Sequence, residues 1–183
     1  MHQFISSCNR HQIDIILLSE TQVKWTPPTI DKMQQRVSKL CREALVLGAD
    51  SKQWEISKKE YLPGGILSII LGKCRSLVQE NNICRSPLGN WMAIKMNHKQ
   101  KTIVLTNLCR MPSVSSNDET CSLTQYNLLE GKTKPTSHHR KEIFKQIKTC
   151  LSQNQDINNL IITGDFNQDV ASTMIMKRCN CTT

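Results

Sequence analysis

The sequence predicts a mixed α/β fold built in layers, and three observations predict it. Short continuous apolar runs, from Asp14 to Leu18 and from Leu160 to Thr163, read as strands. Two other stretches repeat apolar residues at spacings of three and four, as a helix with one buried face does. The middle of the chain reads as a hairpin, which argues against a purely parallel sheet. The expected order is strand, helix, several strands, helix, strand.

Each element has its own signature. The run from Asp14 to Leu18 suits a strand buried on both faces, and it closes on the polar triplet Ser19, Glu20 and Thr21. From Trp25 to Pro28 the two prolines predict a loop that stops any helix. Ile30, Met33, Val37, Leu40 and Ala44 then mark an amphipathic helix, for which Gly48 is a natural stop. A turn from Leu62 to Gly65 leads into a second strand, Ile66 to Leu71. Trp91 to Met96 and Thr102 to Leu108 flank a polar segment and predict a β-hairpin with a longer loop. Residues 112–136 are rich in Ser, Thr, Asn and Gly and predict a long surface excursion. Ile143, Phe144, Ile147, Cys150 and Leu151 form the stripe of a second helix that leads into the strand ending at Gly164. No repeat or linker divides residues 1–183, so a single domain is expected.

Composition narrows the function classes. With 38% hydrophobic residues and only 4% aromatics, the core must be built from Ile, Leu, Val, Met and Cys. No apolar stretch approaches the roughly 18 residues that cross a bilayer. The first ten residues lack the basic and apolar regions of a secretory signal. The expectation is a soluble intracellular protein, cytoplasmic or nuclear, with no membrane partner. Nine cysteines lie scattered with no C-x-x-C pair, which predicts free thiols rather than a disulfide framework or a zinc site. A formal net charge of +9 favours polyanionic partners, although a generic basic surface accounts for charge alone equally well.

Two acids stand where open α/β sheets place ligands, at the carboxyl ends of apolar strands: Glu20 and Asp165. A single acid after a strand is commonly a turn or helix-capping residue. The second case says more. Asp165 and Asn167 lie two apart and share one side of an extended chain, and Gly164 lets the backbone turn tightly before them. A carboxylate beside a neutral amide suits a metal-assisted phosphate site.

Residues 15–21, ending in Ser19, Glu20 and Thr21, resemble the Glu-bearing motif of the endonuclease/exonuclease/phosphatase superfamily. Residues 161–167, closing on Gly164, Asp165, Phe166 and Asn167, are similar to its G-D-F-N motif. Pro63 to Ile66, Leu88 to Trp91 and Ile103 to Leu108 are similar to its middle strands, in the same order. Ser122 to Tyr126 and Arg140 to Phe144 resemble the endonuclease domains of non-LTR retrotransposons in particular.

That resemblance implies a four-layer α/β sandwich of the DNase I-like type and a DNA-nicking endonuclease dependent on Mg²⁺ or Mn²⁺, with DNA as partner. Glu20 would hold the cation, Asp165 would orient and deprotonate the attacking water, and Asn167 would hydrogen-bond the scissile phosphate. Asn107 would stand beside the substrate phosphate. The match is incomplete. The family's opening strand with its Asn is not found, its closing Asp-His pair is not found, and its Asn-x-Tyr reads Asn107, Leu108, Cys109. His138 and His139 fall at a helix start and do not replace the pair. The chain therefore reads as an incomplete domain with impaired catalysis, or as an inactive relic that still binds nucleic acid.

Overall fold

The apolar runs become two sheets. The computed structural model describes residues 2–49, 65–109, 136–152 and 157–166. The first sheet joins β1 (Ile15–Leu18), β2 (Leu45–Ala49) and β3 (Ile66–Ile70) in the order β1-β3-β2, both pairings antiparallel. The second joins β4 (Val78–Arg85), β5 (Trp91–His98), β6 (Lys101–Cys109) and β7 (Asn159–Asp165) in that order. Its first two pairings are antiparallel, and β7 runs parallel to β6. Helices α1 (His2–Arg10) and α2 (Pro27–Ser38) precede β1 and β2, and α3 (Thr136–Ser152) precedes β7.

Side-chain alternation along the strands assigns each layer its neighbour. In β3, Leu67 and Ile69 join Ile5, Cys8, Trp25 and Val37 beneath α1 and α2. The alternate residues Ile66 and Ile70 pack with Met92, Ile94, Met96 and Cys109 from the second sheet. On that sheet's outer face Trp91, Ala93, Val104 and Leu108 meet Ile143, Ile147 and Cys150 of α3. The result is helix, sheet, sheet, helix, as expected. Ile66, Ile70, Met92 and Ile94 are each 0% exposed. Burying a side chain of that size stabilises by about 1.5–3 kcal/mol, so the layer between the sheets holds the two halves together.

Several elements differ from expectation for identifiable reasons. Pro27 and Pro28 open α2 rather than stopping it, because a helix's first residues need no backbone N–H donor. The helix ends at Ser38, well before Gly48, and Ala44 leads into a strand. Gly48 lies inside β2, where an added Cβ would stand 2.7 Å from Cβ of Trp25. Gln34 in α2 reaches the edge of β2 away from β3: its Nε2 donates to Ala44 O at 2.9 Å and its Oε1 accepts from Val46 N at 2.8 Å. One side chain thereby continues the sheet's ladder and covers its edge.

The β5–β6 hairpin is tighter than expected. His98 pairs with Lys101, leaving two residues in the turn, and Lys99 adopts the left-handed conformation at φ 56°. The strand from Asp14 begins at Ile15, and only Ile16 of its four residues is fully buried. The expectation of free thiols fails at one pair, because Cys84 of β4 and Cys150 of α3 form a disulfide. Cys8, Cys41 and Cys74 are not disulfide-bonded. Among the described residues no helix is long and apolar enough to cross a membrane. The expected excursion at 112–136 falls almost wholly outside the described residues.

Candidate active site

Three strand ends meet at one rim. Cys109, the last residue of β6, is in register with Asp165, the last residue of β7. Its thiol donates to Glu20 Oε1 at 3.5 Å, across 89 positions of sequence. Glu20 follows the end of β1 by two residues. Asp165 thus stands in backbone register with the buried residue whose thiol meets Glu20; Glu20 is exposed and Asp165 half-buried.

The backbone carrying Glu20 is unusual. Glu20 adopts φ 53° and Gln22 also adopts φ 53°, in the left-handed region that non-glycine residues rarely occupy. Such conformations persist only where surrounding contacts impose them. Here Thr21 N donates to Gly65 O at 3.0 Å, and the buried Trp25 donates from Nε1 to Thr21 Oγ1 at 2.7 Å. The segment is held from both sides.

Gly164 has a different task from the one its sequence suggests. Rather than turning the chain, it lies within β7 at φ 130°, paired with Leu108. An added Cβ would collide with the Leu108 carbonyl oxygen and stand 2.7 Å from its carbon and 2.8 Å from its nitrogen. Glycine at this position lets β7 close against β6, and that approach seats Asp165 beside Cys109.

Asn107 sits two residues before Cys109, only 1% exposed. Its Nδ2 donates to Leu18 O at 3.1 Å and to Leu67 O at 3.5 Å, while its buried Oδ1 has no hydrogen-bond partner among the described residues. The amide is engaged with the opposite sheet rather than offered to a phosphate. Asn167 and Ser122 to Tyr126 lie outside the described residues. Sequence reasoning missed the Cys109–Glu20 contact and the cross-sheet role of Asn107, and no spacing pattern joins residues so far apart.

The donors suit a hard divalent cation in part. Glu20 offers an exposed carboxylate of the oxygen type that Mg²⁺ or Mn²⁺ prefers. Among the described residues no three His, Cys, Asp or Glu side chains form a ready-made metal cage. Mg²⁺ keeps several waters and can be held by one or two carboxylates, so the single exposed Glu20 is compatible with it.

No family profile and no curated protein matches the chain by sequence. Solved structures do match it. The 3′ phosphatase NExo from Neisseria, bound to a product DNA hairpin, aligns with a TM-score of 0.52 at 11% identity. The alignment covers 90% of this chain and 51% of that one. An endonuclease/exonuclease/phosphatase family protein from Leptotrichia buccalis aligns with a TM-score of 0.50 at 16% identity, covering 93% of this chain and 61% of that one. The chain has the endonuclease/exonuclease/phosphatase fold. It spans between half and two thirds of the length of these neighbours. At such identities the likeness is one of architecture, and the chemistry rests on this chain's own residues.

Proposed function

We propose that the chain is a divalent-metal-dependent phosphodiesterase acting on DNA, of the kind carried by non-LTR retrotransposons, and that its activity is low. The observation that carries this reading is that Cys109 bonds Glu20 and stands in register with Asp165, at one rim of a fold used by phosphoesterases. The net charge of +9 favours a polyanionic substrate.

Glu20 holds the cation, Mg²⁺ or Mn²⁺, which when bound supplies positive charge beside the phosphate oxygens. Asp165 orients a water in line with the scissile bond and takes its proton on a carboxylate oxygen. The water oxygen forms the new P–O bond, the bond to the departing sugar oxygen breaks, and that oxygen takes a proton from solvent. Asn167 donates its amide to a phosphate oxygen. Cys109 occupies the place of a tyrosine expected near the phosphate. It is buried and directed to Glu20, so it supplies none of a phenol's reach. Losing one such donor typically costs about 10²–10³ in rate.

A plasmid-nicking assay on the purified chain tests the proposal. The expected result is slow nicking that requires Mg²⁺ or Mn²⁺ and disappears in Glu20→Ala and in Asp165→Ala. Nicking that survives both substitutions, or that proceeds unchanged in a chelator, would overturn it. A second reading, an inactive relic that binds nucleic acid, is favoured by Cys109 alone. Absence of nicking in every metal together with retained DNA binding is its signature.

A further inference from the structure

Cys109 and Asn107 are two residues apart on β6 and so face the same way, toward the first sheet. Each touches the segment that carries Glu20. Cys109 contacts the carboxylate itself, and Asn107 holds the backbone behind it. The Asn107 amide donates to the carbonyl of Leu18, the last residue of β1, and to that of Leu67, the residue paired with Leu18 in β3. These two bonds tie β1 and β3 of the first sheet directly to β6 of the second. On the far side of Glu20, Thr21 is tied to Gly65. Glu20 therefore sits between two fixed points at residues 18 and 21, in a left-handed conformation that an untied chain would relax.

We propose that Asn107 is a positioning residue: it fixes, through the Leu18 carbonyl, the backbone from which Glu20 projects, and so sets the first sheet's carboxylate against the second sheet's Asp165. The inference rests on the reading of Glu20 as the cation's ligand. Its structural half, the clamping of the strand end, stands apart from that reading. Burial supports it. An amide this deeply enclosed is costly unless bonded, and its donors are bonded to the strand end rather than to its own sheet.

The test compares wild type, Asn107→Leu and Glu20→Gln, all without DNA. Leucine has similar volume and no donor. Amide hydrogen exchange of the metal-free protein is read at residues 19–21 and, as a remote reference, across β4. Mn²⁺ affinity is read by calorimetry. Asn107→Leu is expected to speed exchange at 19–21 by about tenfold with β4 unchanged, and to weaken Mn²⁺ by about tenfold, the scale of one buried hydrogen bond. Exchange at 19–21 that is unchanged, or that rises equally in β4, overturns the positioning role. Mn²⁺ affinity unchanged in Glu20→Gln sinks the ligand reading instead, and the exchange result still judges the clamp. Should Asn107→Leu not fold, the side-chain NH₂ signals of Asn107 in wild type decide. Exchange far slower than for exposed asparagines is expected, and exchange at their rate overturns the proposal.

Discussion

Replacing Gly164 by alanine should do more damage than the same change at Gly48, Gly65 or Gly72. Two costs combine there. An L-residue at φ 130° is strained by about 1–3 kcal/mol. The new Cβ also meets the Leu108 carbonyl, with the Leu108 carbon at 2.7 Å and nitrogen at 2.8 Å. These are backbone atoms and cannot rotate aside, so β7 must retreat from β6 and weaken ladder bonds worth about 0.5–1.5 kcal/mol each. The expected destabilisation is about 3–5 kcal/mol, a large part of the roughly 5–15 kcal/mol that holds a domain folded. Urea unfolding followed by tryptophan fluorescence measures it. Gly72→Ala is the control, because Gly72 has φ 55° but nothing within 4 Å of its added Cβ. That variant should lose only about 1–2 kcal/mol. If Gly164→Ala lost no more than Gly72→Ala, the close approach of β7 to β6 would not be real and Asp165 would not be seated as described.

Other consequences are as direct. The Cys84–Cys150 disulfide spans 66 positions of sequence, so its reduction should remove about 4 kcal/mol on the chain-entropy account, seen as a fall in urea midpoint under reducing conditions. An unchanged midpoint would show that the bond does not form in solution. DNA affinity should fall steeply with salt: if roughly four phosphates are contacted, by about a hundredfold between about 50 and 200 mM. A flat salt profile would point away from a polyanionic substrate.

How far the sequence could be read depended on whether an element's signal was local. β1, β3, β6 and β7 announced themselves as apolar runs; β3 and β6 are covered on both faces and need apolar residues at successive positions, whereas β7 leaves Leu160 and Ile161 exposed. β2 did not. Leu45 and Ala44 continue the spacing of α2, and Gly48 looks like a helix stop until Trp25 is seen to pack against it. β4 carries Gln79, Glu80, Asn81 and Asn82 at a sheet edge with a register shift, so its pattern lacks clean alternation. At the site, Glu20 and Asp165 were legible because a carboxylate at a strand end is a local feature. The thiol contact to Glu20, the Asn107 clamp and the disulfide are made by folding residues dozens of positions apart, and only the assembled sheets reveal them.

The central claim is that Glu20 and Asp165 share one cation-dependent site. Paramagnetic broadening by substoichiometric Mn²⁺, read on backbone amides in an NMR titration, tests it most directly. The account predicts that signals of residues 19–21, of Cys109 and of Asp165 and Phe166 broaden first and together, and that Glu20→Gln removes the effect at all of them. Broadening at residues 19–21 that leaves Asp165 sharp, or broadening that persists in Glu20→Gln, would contradict it.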